Sequence, residues 1–310
     1  MSPVSFAAAV KAELAHLFPD KPCCQQAELA AVLSLAGELK ALEGAGGILV
    51  STRQASVARL VYRLVKECCG AKPTLVIRPR SFGLLIPVTP EVISWASRWP
   101  GLLDPKRPGS LRQLRRSGLA LSCCRCSFLR GSFLAAGSLN DPRSGYHLEV
   151  RLPSAAWGAY LGGLLASFGL APHLTTRRGT PLLYLKGGEQ VAQFLNLVGA
   201  HAAYLEMESA RVYKEVKGRV NRLVNCDTAN LGRTVEASMR QAAAIAYLDN
   251  RLGLSNLPKN LREVAELRLA HPDASLKELG QMFSPRLGKA AVRHRLRQLE
   301  ELAGRLAGQE

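Results

Sequence analysis

Apolar positions recur along this chain at two different periods, and the changes of period mark where helices give way to strands. From about residue 55 to 69 the spacing is helical, and Thr74-Leu-Val-Ile and Phe82-Gly-Leu-Leu-Ile then read as two extended runs. Ile48-Leu-Val-Ser-Thr is an earlier extended run, and Glu91 opens a further helix. The order then returns, with His147-Leu-Glu-Val-Arg-Leu, a helix from about 154 to 168, His173-Leu-Thr-Thr, Leu182-Leu-Tyr-Leu, and a helix opened by Glu189. Beyond Gly199 the pattern is helical throughout. Val212, Val216, Val220 and Leu223 form one stripe over about 207–226, and Leu231, Val235, Met239, Ala242 and Ala246 form another over about 228–251. Between them Asn225-Cys-Asp-Thr-Ala-Asn reads as a hinge, with Asp227 or Thr228 capping the second helix and Asn221, Asn225 and Asn230 offering amides to a buried junction.

The recurrence has a register. At an offset of 100 residues Cys23-Cys24 match Cys123-Cys124, Leu29 matches Leu129, Ala36-Gly37 match Ala136-Gly137, and Val50, Ala71 and Arg78 match Val150, Ala171 and Arg178. Two tandem copies of an αββαββα unit follow, related by a pseudo-twofold axis. Each copy opens with a nonapeptide, Leu29-Ala-Ala-Val-Leu-Ser-Leu-Ala-Gly and Leu129-Arg-Gly-Ser-Phe-Leu-Ala-Ala-Gly, whose small residues Ala31, Gly131 and Ala135 allow two helix backbones to approach closely. These nonapeptides resemble the LAGLIDADG motif of homing endonucleases, which implies paired helices at the axis of a fold whose sheets lie on DNA. In those enzymes an acid precedes the final glycine and holds the divalent ion of phosphodiester hydrolysis. Here Ala36 and Ala136 occupy the two positions, and a methyl group coordinates nothing. Glu38 and Asp141 lie nearby, but each has a residue without a carboxylate opposite it, Ser138 and Ala41.

Near the C-terminus a helix from Leu261 closes before His271-Pro272, because proline disfavours a helical residue ahead of it. Ser275-Leu-Lys-Glu is a capping box that opens a short helix from Leu276 to about Phe283. Ser284-Pro-Arg-Leu-Gly is a turn, and Lys289 to about Leu302 is a second helix with Val292, Leu296 and Leu299 inward. Short helix, turn and longer basic helix make a helix-turn-helix. At about 100° per residue the outward arc holds Lys289, Ala290, Arg293, His294 and Arg297, the candidates for base contacts in a major groove. Lys277, Arg286 and Arg295 are placed for phosphates.

The combination resembles the WhiA family of bacterial regulators over essentially the whole chain. The resemblance is carried by Cys123-Cys124 with Leu129-Arg-Gly-Ser-Phe-Leu-Ala-Ala-Gly-Ser, Asn196-Leu-Val-Gly-Ala-His, Val220-Asn-Arg-Leu-Val-Asn-Cys-Asp-Thr-Ala-Asn-Leu, Leu257-Pro-Lys-Asn-Leu-Arg-Glu-Val-Ala-Glu-Leu-Arg, and Ser275-Leu-Lys-Glu-Leu-Gly. It implies a sequence-specific transcription factor without nuclease activity, tied to cell division, chromosome segregation and, in spore formers, sporulation. The turn departs from the family, with Pro285-Arg-Leu-Gly-Lys in place of a segment richer in Ser and Gly. The expected class is therefore α+β: two pseudo-symmetric LAGLIDADG-type halves, 1–104 and 105–220, followed by an all-α unit, 221–310, that holds the hinge and the helix-turn-helix.

Composition agrees with a polyanionic partner. Against 24 acids there are 41 Lys and Arg, a net charge of +17. A dense basic stretch, Lys106, Arg107, Arg112, Arg115, Arg116, Arg125 and Arg130, contains Pro105, Pro108 and Gly109 and reads as a connector; Arg112, Arg115 and Arg116 are further candidates for DNA phosphates. The expected partner is double-stranded DNA at promoters, with a second transcription regulator as a further candidate. No apolar run nears the ~18 residues of a membrane span, and no secretory leader is evident, so a cytoplasmic, nucleoid-associated protein is expected. The eight cysteines come mostly as vicinal pairs. In a reducing compartment these read as free thiols, and Cys123-Cys-x-Cys126 lacks a second hook at zinc-finger spacing, so neither a metal nor a cofactor is expected. The Gly44-Ala-Gly-Gly segment lacks the lysine of a phosphate-binding loop and reads as a hairpin connector. A catalytic Cys226 with His201 finds no support in spacing, and His16, His147, His173 and His271 read as ordinary surface or core histidines. The competing readings are a metal-dependent DNA endonuclease and a protein-binding scaffold of endonuclease descent.

Overall fold

A computed structural model describes residues 5–42, 45–99, 102 and 118–308 of the chain, which divides into two compact units, Met1–Lys214 and Glu215–Glu310. No helix among the described residues is long and apolar enough to cross a membrane. The first unit begins with helix α1 (Phe6–His16). Then follow α2 (Pro22–Ala36), β1 (Gly37–Leu42), β2 (Ala45–Thr52), α3 (Ala55–Cys69), β3 (Thr74–Arg78), β4 (Ser81–Pro87) and α4 (Pro90–Ser97). The second copy runs α5 (Ser122–Ala136), β5 (Gly137–Leu139), β6 (His147–Arg151), α6 (Ala155–Ala166), β7 (His173–Arg177), β8 (Thr180–Lys186) and α7 (Gly188–Val198). The expected αββαββα order is present twice, and the polar segment after each Ala-Gly is itself the first strand. Ala45–Gly47 belong to β2 rather than to a connector, while Gly44 lies outside the described residues.

The sheets have matching antiparallel orders, β1-β2-β4-β3 and β5-β6-β8-β7. Gly37 faces Val50 in one and Gly137 faces Val150 in the other, so the offset of 100 is a true structural register there. It slips by one in the outer hairpins. Thr74 pairs with Leu85 where His173 pairs with Tyr184, and Arg78–Ser81 closes its hairpin where Arg177–Thr180 closes the other. The counterpart of Arg78 is therefore Arg177, not Arg178, a correction to the sequence alignment. Alternation puts Leu148, Val150, Leu183 and Leu185 into the core and sends Glu149, Arg151, Tyr184 and Lys186 to the other face.

The core is organised around α2 and α5, which lie side by side. A methyl built on Gly131 would stand 2.5 Å from the Glu28 carbonyl oxygen and 2.9 Å from Ala31 Cβ, so glycine is what lets the two backbones touch. The apolar stripe of α3 (Val57, Leu60, Val61, Leu64) covers the first sheet's inner face, while Trp157, Leu161 and Leu164 of α6 sit in the same core on the second side.

After Gly199, whose φ of 89° ends α7 in the left-handed region, the chain enters α8 (His201–Leu252). Glu13 of α1 caps its start, its carboxylate accepting from the Ala202 and Ala203 amides at 2.7 and 3.1 Å, a favourable site for a negative charge. The expected break at Asn225–Asn230 is absent: Asp227 and Thr228 cap nothing, Asn221, Asn225 and Asn230 are exposed, and the helix is continuous. The apolar stripe is also exposed, from Val212, Val216 and Val220 to Leu231 and Met239. No proline interrupts this segment, and its polar side chains, facing water, have no competing structure to stabilise.

In the second unit a 3-10 turn (Leu254–Asn256) leads to α9 (Lys259–Ala270), α10 (Leu276–Gln281) and α11 (Lys289–Ala307). Ile245, Leu248, Val264, Leu279, Phe283, Val292, Leu296 and Leu299 form its core. Both arms of the capping box are present, Ser275 Oγ accepting from the Glu278 amide at 3.3 Å and Glu278 accepting from the Ser275 amide at 2.7 Å. Arg268 is buried, and its guanidinium donates to the carbonyls of Ala274 at 2.8 Å and Pro272 at 3.2 Å, fastening the loop that precedes α10. Gly280 is obligatory, since a Cβ there would stand 2.3 Å from the Leu287 carbonyl oxygen, where α10 meets the turn.

Candidate nucleic-acid interface

Helix α11 is amphipathic in the manner its sequence requires. Val292, Leu296 and Leu299 are fully buried, and Lys289, Ala290, Arg293, His294 and Arg297 are all exposed. Arg297 Nε donates to Glu301 Oε1 at 2.8 Å, an exposed pair worth little in water and open to exchange for another acceptor. Lys277 and Arg286 are exposed. Arg295 is half-buried, with its guanidinium 5.5 Å from the Phe283 ring centroid, so its position is set by packing as well as by charge.

The basic connector divides. Arg112, Arg115 and Arg116, with Lys106 and Arg107, lie outside the described residues. Arg125 and Arg130 are not connector residues: both are in α5. Arg125 donates to Ser167 Oγ at 2.9 Å and lies over the Phe168 ring. Arg130 makes two hydrogen bonds to Glu28 Oε2, at 2.9 and 2.6 Å, joining the two central helices. Burial pushes the Glu28 carboxyl up to about 7 even though Arg130 pulls the other way.

The outer faces of the two sheets differ. The second presents a row of rings, with His147 and Tyr184 centroids 5.3 Å apart and Tyr184 and His173 5.2 Å apart. Alternation adds Arg151, Lys186 and Arg177 to that face. The first has Thr74 and Leu85 where the second has His173 and Tyr184, though Arg78 stands where Arg177 does. Rings among cations suit a nucleic-acid surface. The period-two alternation of β6, β7 and β8 is the sequence signal that puts His147, His173 and Tyr184 on one face.

Ala36 and Ala136 meet at the C-terminal ends of α2 and α5, where an open groove of about 770 Å³ is also lined by Glu38, Lys40, Ser51 and Arg151. An adjoining groove includes Lys11, Gln54 and Glu149. Glu38 is engaged by Lys40 at 3.0 Å and Glu149 by His147 at 3.5 Å, and Asp141 accepts from the Arg143 amide in a turn. Lys11 is held down to about 8 by burial and by Arg151 beside it. Two methyls under nearby cations are a poor place for a divalent ion. Cys226 and His201, both exposed, are separated by seven turns of one helix and form no pair.

At the opposite end of the same helices four thiols converge. Cys23 and Cys24 from the first turn of α2 and Cys123 and Cys124 from the first turn of α5 have all their sulfur atoms within 4.8 Å of one another. Among the described residues this is the only gathering of three or more metal-ligating groups. Sequence spacing provides Cys123-Cys-x-Cys126 with no second hook; the fold provides one 100 residues upstream.

A LAGLIDADG-like α+β unit with a helix-turn-helix unit thus defines the class of protein. Three family profiles match in order along the chain: the WhiA N-terminal LAGLIDADG-like domain over residues 22–81, the WhiA LAGLIDADG-like domain over 125–217, and the WhiA C-terminal HTH domain over 220–303. The sequence is 43% identical over 309 residues to a "Probable cell division protein WhiA" of Heliobacterium modesticaldum, covering 97% of this chain and 96% of that one. It is 44% identical over 309 residues to the protein of the same description from Desulforudis audaxviator, covering 97% of each. The crystal structure of full-length WhiA from Thermatoga maritima superposes with a TM-score of 0.59 at 26% identity, over 97% of this chain and 98% of that one. The chain belongs to the WhiA family.

Proposed function

We propose that this protein is a sequence-specific regulator of transcription that binds double-stranded DNA at promoters through α11 and cuts nothing. The carrying observation is the one-sided face of α11, where Arg293, His294 and Arg297 are exposed opposite a fully buried stripe. Arg293 and Arg297, with Lys289, Ala290 and His294, read base edges, and Lys277, Arg286, Arg295 and the connector's Arg112, Arg115 and Arg116 hold phosphates. The second sheet's cationic, ring-bearing face adds a broader, less selective grip. Two modules in one chain raise each other's effective concentration, so neither need bind tightly alone. The description of the relatives as cell division proteins supports a role in division, with chromosome segregation and, in spore formers, sporulation within the same regulatory reach. Action on the nucleoid in the cytoplasm, alone or beside a second regulator, follows from that role. Against the endonuclease reading stand the methyls of Ala36 and Ala136.

Selection of bound sequences from a random DNA pool tests this. The wild type is expected to enrich one motif, and Arg293→Ala with Arg297→Ala to lose it, at a cost of roughly 1 to 3 kcal/mol of discrimination per lost bidentate contact. Weak binding to any DNA, falling steeply with salt, is expected to survive in the variant. Enrichment of the same motif by the double variant would refute the assignment of α11.

A further inference from the structure

The four thiols at the N-terminal end of the central helices lie outside the surfaces assigned to DNA above, and their arrangement is not that of stray cysteines. Each pair comes from a different half of the repeat, so the pseudo-twofold axis that brings α2 to α5 also brings the pairs together. Cys123 and Cys124 sulfurs are 4.0 Å apart, and all four lie within 4.8 Å. A tetrahedral Zn²⁺ with bonds of ~2.3 Å places its sulfur ligands about 3.8 Å apart. The thiols therefore need to close by an ångström or less.

Two further features favour an anionic complex here. Neither α2 nor α5 has a side-chain hydrogen bond at its N-cap, so both leave first-turn amides without that partner. The Cys124 amide bonds the Cys123 sulfur, and all four cysteines sit in first turns, at the positive ends of two helix dipoles. Lys21, at the N-cap of α2, adds a positive charge. Cys24 and Cys124 are buried, and Cys23 and Cys123 are half-buried, which provides both a dry interior and a path of entry. Burial pushes the Cys24 thiol up to about 11 and raises Cys124 too. For Cys123 burial acts the same way, but it is outweighed by hydrogen bonds from the Cys24 and Cys124 thiols and by Lys21, which hold this thiol below its ordinary value.

We propose that Cys23, Cys24, Cys123 and Cys124 form a structural tetrathiolate site for one zinc ion, clamping the two halves of the LAGLIDADG-like unit together at the head of their paired helices. Binding replaces four S–H bonds by four Zn–S bonds and releases up to four protons to solvent, leaving a complex of net charge −2 with no change of oxidation state. Zinc is chosen over harder divalent ions because all four ligands are soft sulfur in a tetrahedral set.

The test uses the full-length chain, reduced and stripped of metal. Titration with Co²⁺ is expected to saturate at one ion per chain, with the visible bands and near-ultraviolet thiolate-to-metal absorption of tetrahedral cobalt, and Zn²⁺ is expected to bleach them stoichiometrically. Alkylation followed by peptide mass spectrometry is expected to find these four cysteines protected by Zn²⁺ while Cys68, Cys126 and Cys226 keep their reactivity. Cys226→Ser is expected to leave the spectrum unchanged, and Cys23→Ser with Cys123→Ser to abolish it. Should the double variant fail to fold, the protection pattern of the wild type decides. Absence of tetrahedral thiolate absorption in the reduced wild type, protection at other cysteines, iron in place of zinc in the protein as isolated, or disulfides among these four after acid quenching from cells would each overturn the proposal.

Discussion

The two ends of the paired helices α2 and α5 carry opposite chemistry. At their C-terminal ends, where the LAGLIDADG enzymes hold acids, stand the methyls of Ala36 and Ala136, with Lys11 and Arg151 close by. At their N-terminal ends four thiols converge. Helix electrostatics gives the contrast a direction. Anions are favoured where backbone amides point outward and disfavoured where carbonyls do. Carboxylates at the C-terminal end are tolerable only with a cation to neutralise them, a cost that alanine at both positions avoids. Sulfur at the N-terminal end works with the dipole. The close helix contact is kept with methyls at one end and thiols at the other.

Three experiments sharpen or break this contrast. The largest effect is expected from Gly131→Val, at the contact common to both ends. The Glu28 backbone cannot retreat from a Cβ at 2.5 Å without parting the helices, and urea unfolding is expected to report a loss of about 3 kcal/mol. Gly145→Ala, with nothing within 4 Å, is the near-neutral control.

The next concerns Glu28, which lies along the same contact. Burial raises its carboxyl to about 7 from an ordinary 4.5. Between those values the folded state binds more protons than the unfolded one, so stability is greater at the acid side and falls as pH rises through the window. A drop on the order of 2 kcal/mol is expected between pH 5 and 8 in chemical unfolding. Glu28→Gln is expected to flatten it; a stability that rises over the same range would contradict the burial argument.

The smallest effect is expected from reinstating acids. Ala36→Asp with Ala136→Asp sets two like charges at helix C-termini, each costing about 0.3 to 1 kcal/mol. Thermal unfolding is expected to show a lower Tm that Mn²⁺ restores, whereas the wild type is insensitive to Mn²⁺ at this end. If Mn²⁺ leaves the variant's Tm unchanged, the groove is no longer a latent ion site.

How much of this was legible in advance depended on whether a feature is local or made by the fold. The offset of 100 residues matched Gly37 with Gly137 and Val50 with Val150, which the structure places at equivalent register positions, while their pairing between β1 and β2 and between β5 and β6 was not legible; the close approach at Gly131 followed from small residues alone. The capping box at Ser275 was readable because its two hydrogen bonds span only three residues. The thiol cluster was missed by looking for a second hook nearby in sequence, when the repeat itself brings Cys23-Cys24 to Cys123-Cys124. The expected hinge failed for a different reason. Asp and Thr favour a cap only where the chain already leaves the helix, and nothing packs against Asn225–Asn230 to make it leave. Apolar periodicity likewise located the stripe of α8 but did not tell that it would remain uncovered. Arg125 and Arg130 looked like connector charges because composition does not reveal that Glu28, more than 100 residues upstream, is the partner of one of them.

The most direct test of the proposal that this protein holds DNA without cutting it is to incubate the full-length chain with supercoiled plasmid carrying its selected motif, in Mg²⁺ and then in Mn²⁺, and to run the products with and without deproteinisation. The expected result is a retarded complex that returns intact supercoiled plasmid once protein is removed. Metal-dependent nicking that disappears on mutation of Glu38 or Asp141 would contradict it.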